Sequence, residues 1–395
     1  MSQQAAPIHL HKNHERRLLL GHPWVFSNEI ASEVKAYEPG SLVDVYAYGG
    51  TFLGRGYINP HSLISVRVLT QRREAIDGDF FRRRLEAAWQ RRIRLYPEAY
   101  AFRLVYSEGD LLPGLIVDRY ANHLVVQTLT LGMELRLDLI CDALEALLQP
   151  QSIIARNDVA IRGLEGLPLE KKVLRGELHG PVEYQEGDLC FQVDLWEGQK
   201  TGSYLDQRDN RWALQALLKG ERVLDAFCYT GAWGLHAARV GAAEVVGVDE
   251  SAKAIQWAQQ QAKRNGVEAQ CRFTVAEVFQ YLKDADLRHE RFDAIVLDPP
   301  AFVKSRTKVR EGLHGYWEIN RRAMRLLKPG GYLITCSCSH HVDAEMFRMM
   351  LARAAKAARR QALLLEMRSQ AKDHPVLLPL SESAYLKCAV LMLAN

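Results

Sequence analysis

The sequence predicts an α/β fold in which a doubly wound parallel sheet follows two smaller regions. Three observations predict it. Over residues 186–395, short apolar runs alternate with longer helical stretches, which is the pattern of βαβ units on a parallel sheet. Residues 1–72 hold short alternating runs separated by glycines, and residues 73–185 mix strands with helices. We therefore predict three domains, β-rich, α+β and doubly wound, in a chain of 395 residues.

The composition indicates a cytoplasmic protein. Hydrophobic residues make up 48% of the chain, which is enough for packed cores. No stretch approaches the roughly 20 apolar residues that a membrane span requires, and the first residues are polar rather than signal-like. The seven cysteines are odd in number and include no Cys-x-x-Cys pair, so we expect them to be reduced. We predict no membrane association and no disulfide framework.

One segment is locally basic although the net charge is only +4. Between Phe81 and Arg94 stand six arginines against the single acidic residue Glu86, while apolar residues recur at helical spacing. This pattern predicts a helix with one apolar and one basic face. Two interpretations are open: a solvated helix face, which is common, or a surface that contacts an RNA backbone.

Alternating and helical patterns predict the other elements of the first two regions. In the first region we expect strands at Ser41–Ala47 and Leu63–Leu69. In the second we expect, besides the basic helix, strands at Leu115–Val117, Leu124–Gln127 and Ser152–Ala155 and a helix near Leu135–Leu148. The first region is thus predominantly β and the second is α+β.

The third region opens with a strand, a tight turn and a helix. The strand contains Asp225, and the helix begins after Gly231 with amides that can face a ligand. The turn lacks the GxGxxG of dinucleotide sites, which disfavours a nicotinamide enzyme. The next strand ends in Asp249, as expected for an acid that accepts both ribose hydroxyls. Each acid also has a structural interpretation, Asp225 as the cap of the turn and Asp249 as the N-cap of a helix near Ser251.

Three further strands and a closing pair complete the predicted sheet. After a helix at Ala252–Asn265, we expect strands at Arg272–Phe279, Phe292–Leu297 and Gly331–Cys336, the last reached through the turn Lys328–Gly330, and an antiparallel pair at Ala362–Met367 and Ala384–Leu393. In a doubly wound sheet, ligands bind outside the carboxyl ends of the strands. The residues that directly follow the fourth and fifth strands are therefore the candidate site.

Two motifs at these strand ends carry the chemistry. Asp298-Pro299-Pro300 fits a pocket that presents a carboxylate and stiff prolyl carbonyls to a planar heterocycle beside the methyl group of S-adenosylmethionine. Cys338, after the fifth strand, adds a nucleophile. C5 of cytosine is a poor nucleophile, and thiolate addition at C6 turns it into an enamine-like one. The two motifs together point to methylation of cytosine at C5.

Longer motifs resemble those of the bacterial 23S rRNA cytosine-C5 methyltransferases, which have an N-terminal PUA domain, an α+β middle domain and a Rossmann-like methyltransferase domain. The resemblance covers nearly the whole chain and rests on Gly21–Phe26, Gly198–Arg208, Asp225–Gly234, Leu297–Phe302 and Thr335–Ser339. It implies an S-adenosylmethionine-dependent enzyme in which the PUA-like residues 1–72 bind RNA. It also implies that Cys338 is the nucleophile and that Asp298 hydrogen-bonds the cytosine edge and favours protonation at N3.

The resemblance implies S-adenosylmethionine as the cofactor, lying across the loop Asp225–Gly231. The expected contacts are Asp225, Phe227, Tyr229, Gly231, Asp249, Ser251, Glu277, Val278, Gln207 and Arg208. Among them, Asp249 is expected at the ribose, and Glu277 with Val278 near the adenine. The expected partner is 23S rRNA or a precursor of the large subunit, and a homodimer is possible.

The sequence departs from the resembled family at two positions. Ala301 stands where many RNA cytosine-C5 enzymes carry a second cysteine that helps release the product, and Cys336 stands where an apolar residue is expected. Because alternate residues of a strand share a face, Cys336 can reach the same pocket as Cys338, although packing is its favoured role. A metal site formed by both cysteines with His340 and His341 is disfavoured, because ligands so close on one strand rarely converge on one ion.

Two other functions are compatible with the motifs. An Asp-Pro-Pro site also serves methylation of a guanine or adenine nitrogen, for which Cys338 is incidental. A ribosome-assembly factor can bind rRNA and keep the fold without turnover, although the intact acidic residues and Cys338 argue against it. The product nucleoside separates the first alternative from cytosine methylation, and transfer of labelled methyl excludes the second.

Overall fold

The structure, a computed structural model, describes residues 5–303 and 305–394. It contains two compact units, each assembled from three segments. The first comprises Met1–Gln185, Gln192–Asp206 and Lys372–Ser383; the second comprises Glu186–Phe191, Gln207–Ala371 and Ala384–Asn395. The division into three domains stays a prediction. None of the described helices combines the length and the apolar character that a membrane-spanning segment needs.

A mixed five-stranded sheet opens the first unit. Its strands are β1 (Ala6–His9), β2 (Trp24–Val25), β3 (Leu42–Tyr46), β4 (Phe52–Ile58) and β5 (Val66–Thr70), and helix α1 (Arg16–Leu19) lies between the first two in the chain. The order across the sheet is β1-β3-β4-β5-β2, and only β1 and β3 are parallel. Alternating apolar side chains, including Val43, Val45 and Val66, are fully buried in its core. The two strands predicted here are confirmed, the second with a later start.

A second five-stranded sheet belongs to the same unit. Its strands are β6 (Ala101–Tyr106), β7 (Leu115–Tyr120), β8 (His123–Thr128), β9 (Ser152–Arg156) and β10 (Lys171–Gly176), in the order β10-β9-β8-β7-β6. Helices α2 (Gly78–Leu95), α3 (Leu131–Glu134) and α4 (Leu137–Leu148) accompany it. The apolar faces of α2 and α4 share one core with the sheet, so the predicted α+β character is confirmed. Two short strands, β11 (Val182–Glu186) and β12 (Leu189–Val193), pair with each other.

Helix α2 is the predicted amphipathic helix, but its arginines do not form one exposed basic face. Arg92 is only 1% exposed, and its guanidinium binds both carboxylate oxygens of Asp110 at 2.5 and 2.6 Å. Arg91 also donates to Asp110, and Arg83 donates to Glu74. The assignment of Arg92 to the basic face is therefore wrong, because a buried carboxylate compensates its charge on the inner side of the helix.

The second unit contains a seven-stranded sheet with the doubly wound topology that the sequence predicts. Its strands are β13 (Arg222–Ala226), β14 (Glu244–Asp249), β15 (Cys271–Val275), β16 (Phe292–Leu297), β17 (Leu327–Ser337), β18 (Ala362–Arg368) and β19 (Lys387–Leu393). They lie in the order β15-β14-β13-β16-β17-β19-β18. All neighbours are parallel except β19, which is antiparallel to β17 and β18. Strand order reverses beside β13, where ligands bind in such sheets.

Two groups of helices flank this sheet. The first group is α5 (Arg208–Leu214), α6 (Ala232–Arg239) and α7 (Ala252–Arg264), and the second is α8 (Val278–Leu287), α9 (Val309–Leu326) and α10 (Ala344–Ala358). Within each group, successive helices pack side by side. The second group encloses a large apolar core with the strands, in which Leu224, Ile295, Tyr316, Leu333 and Phe347 are fully buried. The alternation of strands and helices predicted from the sequence is confirmed.

The third strand of this sheet is shorter than predicted. It ends at Val275 rather than at Phe279. Helix α8 begins instead, because the carboxylate of Glu277 accepts hydrogen bonds from the amides of Phe279 and Gln280. An acidic N-cap of this kind satisfies amides that have no partner within the helix.

The fifth strand is longer than predicted. It begins at Leu327, and the expected turn at Lys328–Gly330 is part of it. Pairing with β16 shifts between Phe292 and Ala294, and Gly330 adopts a φ of 76° there. The turn residues therefore form an irregularity within the strand, since glycine tolerates the left-handed conformation that such a bulge needs.

Candidate functional site

Asp225 lies at the end of β13 with one of its oxygens unsatisfied. The side chain is fully buried, and its Oδ2 accepts a hydrogen bond from the amide of Gly234 in α6 at 2.8 Å. Its Oδ1 is buried without a hydrogen-bond partner among the described residues. Burial, and then the charges of Asp298 and Asp249, raise the pKa of Asp225 to about 7. The capping interpretation holds for one oxygen, and the other is available to a donor from a ligand.

The loop between Asp225 and α6 has an unusual backbone. Phe227, Tyr229 and Gly231 have φ values of 65°, 48° and 83°. Left-handed conformations in non-glycine residues cost about 1–3 kcal/mol each and concentrate at binding sites. Gly231 has a second requirement, because a Cβ there would lie 3.0 Å from the ring of Phe273. The loop is thus held in one shape between β13 and the beginning of α6.

Asp249 connects the end of β14 to this loop. Its Oδ2 accepts a hydrogen bond from the amide of Tyr229, and its Oδ1 accepts one from the amide of Ser251, both at 2.9 Å. Ser251 is itself the N-cap of α7, since its Oγ accepts from the amide of Ala254 at 3.2 Å. The alternative interpretation of Asp249 as the N-cap is therefore wrong. Asp249 is half-buried, so it is accessible beside the loop.

Asp298, after β16, is held by two uncharged donors. The amide of Gln207 donates to Oδ1 at 3.0 Å, and the indole of Trp233 in α6 donates to Oδ2 at 3.2 Å. The sequence predicts Gln207 in the site but not Trp233. The only available signal for Trp233 is an indole N–H in the first turn of a helix that leads away from the loop, and a buried indole usually finds an acceptor.

Cys338 lies beside the Asp-Pro-Pro segment. Its Sγ is 4.0 Å from the carbonyl oxygen of Pro299, and its side chain is half-buried. The structure therefore brings the two predicted motifs together. They are also joined further along, because Ser339 Oγ accepts from the amide of Val303 at 3.1 Å and lies 2.9 Å from the hydroxyl of Tyr316. Tyr316 is a further residue that the sequence does not predict, since it recurs at core spacing in α9.

Cys336 differs from Cys338 in its surroundings. It is fully buried and stands opposite Cys388 in the pairing of β17 with β19. Burial, and then Cys388, raise the pKa of Cys336 well above its usual value. A thiol that resists ionisation is a poor nucleophile, so packing is the better account of Cys336.

Four predicted cofactor contacts remain: Glu277, Val278, Gln207 and Arg208. Glu277 and Val278 follow β15, but the carboxylate of Glu277 caps α8 and Val278 is buried. Gln207 contacts Asp298, as described above. Arg208 is buried with its guanidinium over the ring of Trp212. The structure therefore brings together the residues of the loop, Asp249, Gln207, Asp298 and Cys338.

The residues of this site fit S-adenosylmethionine. The unsatisfied Oδ1 of Asp225 is an acceptor of the kind that an ammonium group needs, and the strained loop begins directly after this strand. Among the residues that the structure describes, no group of three His, Cys, Asp or Glu side chains is arranged to hold a metal ion.

Comparison with known proteins finds one domain match in the N-terminal part of the chain and one in the C-terminal part. A PUA-like domain model matches residues 8–71, and a methyltransferase domain model matches residues 217–377. The proteins named ribosomal RNA large subunit methyltransferase I from Aeromonas hydrophila subsp. hydrophila and Shewanella denitrificans are each 42% identical to this chain. Each alignment covers 97% of this chain and 98% of the relative.

Solved structures share the fold at lower identity. A chain described as a SAM-dependent methyltransferase from Streptococcus mutans has a TM-score of 0.83 at 21% identity, covering 98% of this chain and 100% of that one. SMU.776, described as a methyltransferase complexed with SAH, has a TM-score of 0.84 at 20% identity with the same coverage. These similarities confirm the predicted combination of an N-terminal PUA-like domain with a methyltransferase fold.

The full-length similarity to named relatives also confirms the family resemblance found in the sequence. Since this similarity spans almost the whole length of both proteins, it covers the loop after β13 and both motifs at the strand ends. The chain therefore belongs to the family of the ribosomal RNA large subunit methyltransferases I, and it is an rRNA methyltransferase that uses S-adenosylmethionine.

Proposed function

We propose that the enzyme methylates C5 of a specific cytidine in 23S rRNA through a covalent bond between Cys338 and C6. The observation that carries the proposal is the proximity of the two motifs, with Cys338 Sγ 4.0 Å from the carbonyl of Pro299. Activation of C5 requires a thiol and a polar group at the base, and here a half-buried thiol contacts the segment that begins with the oriented carboxylate of Asp298.

The reaction begins when a single-stranded or flipped-out cytidine enters the site. Asp298 hydrogen-bonds the edge of the ring that carries N3 and so favours its protonation. Cys338 loses its proton to solvent, and the thiolate bonds to C6, which makes C5 electron-rich. S-adenosylmethionine, when bound, would supply an electrophilic methyl group, whose bond to the sulfonium sulfur breaks as the bond to C5 forms. Loss of the C5 proton to solvent then restores the double bond and expels the thiolate.

Asp298 is suited to this role by its two hydrogen bonds. The amide of Gln207 donates to one carboxylate oxygen, and the indole of Trp233 donates to the other. These two hydrogen bonds fix the orientation of the carboxylate. Preorganised groups of this kind stabilise a transition state without reorganising during the reaction.

The cofactor lies across the loop after β13. Asp225 offers its unsatisfied oxygen to the ammonium group, and Asp249 accepts from the ribose hydroxyls. Glu277 and Val278 border the adenine through the segment where β15 ends. The other residues proposed as contacts are Phe227, Tyr229, Gly231, Ser251, Gln207 and Arg208.

The RNA partner is 23S rRNA or a precursor of the large subunit, and we place the enzyme in the cytoplasm. The proposal follows from the names of the relatives and from the PUA-like match to residues 8–71.

A homodimer is also part of the proposal, through the edge strand β18. Leu363, Leu364 and Leu365 are each more than two fifths exposed at this edge of the sheet. Exposed apolar edge strands tend to pair with a second strand, and two copies of one strand can pair antiparallel. Sedimentation analysis of the wild type and of Leu364→Lys tests this: a dimer that becomes a monomer supports the pairing, and a dimer in both contradicts it.

Methylation of a base nitrogen is the second candidate. The observation in its favour is Ala301, which stands where a second cysteine aids product release in many cytosine-C5 enzymes. Digestion of the methylated rRNA to nucleosides separates the two candidates. We expect 5-methylcytidine as the labelled product, and labelled methylguanosine or methyladenosine contradicts the proposal.

A further inference from the structure

A buried lysine lies next to the nucleophile segment. Lys387 begins β19 and pairs with Ser337 of β17. Its ammonium donates to the carbonyl oxygens of Ser339 and Tyr385, both at 2.7 Å, and the side chain is almost entirely inside the protein. Since Ser339 directly follows Cys338, these hydrogen bonds hold a positive charge beside the backbone of the nucleophile.

The two hydrogen bonds of Lys387 do not neutralise its charge. Both acceptors are neutral carbonyl groups. Within residues 5–303 and 305–394, Lys387 forms no ion pair, although the carboxylate of Asp343 acts on it over a longer distance. Burying a cation without an ion-pair partner is unfavourable, so a negative charge that forms nearby is favoured.

The groups that face this cation come from several elements. The thiol of Cys338 and the carboxylate of Asp343, at the start of α10, both interact with it electrostatically. The hydroxyl of Tyr316, on α9, interacts with the thiol. The ring of His340 stacks on Tyr385, whose carbonyl accepts from the lysine.

The ammonium is present at neutral pH. Burial lowers the pKa of Lys387 to about 8, and the negative forms of Cys338 and Asp343 oppose that decrease. In most molecules, Lys387 is therefore protonated at pH 7. Because charges interact more strongly inside a protein than in water, this ammonium favours a neighbouring anion.

We propose that Lys387 is a positioning residue that holds Cys338 in its thiolate form before the addition to C6. The thiol proton goes to solvent, and the lysine charge compensates the sulfur anion that is left. Only the thiolate is nucleophilic, so the fraction of ionised Cys338 sets the rate of addition. This inference rests on the proposed role of Cys338 as the nucleophile.

Alkylation by iodoacetamide tests the inference without RNA. The rate at Cys338, followed by mass spectrometry of its peptide, is measured against pH for the wild-type protein and for Lys387→Met, Lys387→Arg and the exposed control Lys356→Met. We expect a wild-type midpoint below the value of about 8.5 for an ordinary cysteine. We expect Lys387→Met to raise the midpoint by about one unit or more, while Lys387→Arg and Lys356→Met stay near the wild type.

Two results overturn the inference. One is a wild-type midpoint at or above that of an ordinary cysteine, which decides the matter even if Lys387→Met fails to fold. The other is an unchanged midpoint in a Lys387→Met protein that still binds S-adenosylmethionine. A low midpoint in a protein that forms no covalent bond with RNA contradicts the proposed function instead, so the two failures are distinguishable.

Discussion

The indole nitrogen of Trp233 donates a hydrogen bond to Oδ2 of Asp298 over 3.2 Å. The two residues lie on different elements, Trp233 in the first turn of α6 and Asp298 after β16. Gly231, directly before that helix, belongs to the strained loop. One hydrogen bond therefore connects the loop proposed to hold the cofactor with the carboxylate proposed to hold the base.

Replacing Trp233 by phenylalanine keeps an aromatic ring and removes this donor. A hydrogen bond to a charged group contributes about 1.5–3 kcal/mol, so we expect kcat to fall by about tenfold or more. Affinity for S-adenosylmethionine should stay close to that of the wild type. Steady-state transfer of labelled methyl to 23S rRNA and calorimetric titration with the cofactor measure the two effects. The matched control is Trp257→Phe on α7, and an equal decrease in that variant removes the support for a specific role.

The raised pKa of Asp225 predicts that cofactor binding depends on pH. Burial, with the charges of Asp298 and Asp249, raises this pKa to about 7, so the carboxyl group is mostly neutral at pH 6 and mostly ionised at pH 8. If the ionised form binds the ammonium of the cofactor, affinity should be about tenfold higher at pH 8 than at pH 6. Titration calorimetry at both pH values measures this change.

The raised pKa of Asp225 also affects the stability of the fold, which should decrease as pH rises, whereas cofactor affinity should increase. Because the folded pKa lies above the ordinary value of 3.8, ionisation of Asp225 destabilises the fold as pH rises from that value to about 7. Two variants test the predicted pH dependence of cofactor affinity. Asp225→Asn should lose this dependence, because it has no ionisable group at that position, whereas the exposed Glu268→Gln should keep it. Wild-type affinity that is equal at pH 6 and pH 8 contradicts the proposed contact.

A buried charge network stabilises the second unit. The carboxylate of Glu186 accepts from Arg211 at 2.7 and 2.6 Å and lies 2.9 Å from Nε2 of His236. Since all three side chains are buried, Glu186→Gln removes the negative charge that pairs with the guanidinium, and we expect a loss of about 3–5 kcal/mol in the free energy of unfolding. Urea denaturation measures it, with the exposed Glu345→Gln as the control.

The decrease in stability at low pH should be smaller in Glu186→Gln than in the wild type. Burial by itself raises the pKa of Glu186, but Arg211 and His236 together outweigh it and hold the pKa below the ordinary 4.5. The stabilisation is therefore fully present above pH 4.5 and is lost as pH falls toward the lower folded value. A wild-type protein that loses no more stability in acid than Glu186→Gln contradicts this account.

Residues at strand ends are the part of the site that the sequence predicts well. An apolar run that stops at a polar residue locates the carboxyl end of a strand, and parallel strands bring these ends to one edge of the sheet. Asp225, Asp249, Asp298 and Cys338 are all found there. Their roles stay predictions, whereas their positions follow from strand order.

The sequence does not predict site residues whose side chain lies in the apolar core and reaches the site with a single polar atom. Trp233 and Tyr316 recur at helical spacing with core residues, so their sequence pattern indicates packing alone. Arg92 shows the opposite error, because a charged residue in a basic run lies inward against Asp110. Partners distant in the chain decide these three cases, and a periodic pattern contains no information about them.

A covalent trap tests the central claim most directly. The protein is mixed with S-adenosylmethionine and 23S rRNA transcribed with 5-fluorocytidine, and a denaturing gel reveals any protein-RNA adduct. Fluorine does not leave C5 as a proton does, so the bond between Cys338 and C6 should persist. We expect an adduct with the wild-type protein and with Cys336→Ala, and none with Cys338→Ala, which should still bind the cofactor. An adduct that survives in Cys338→Ala, or no adduct from an enzyme that methylates ordinary rRNA, contradicts the account.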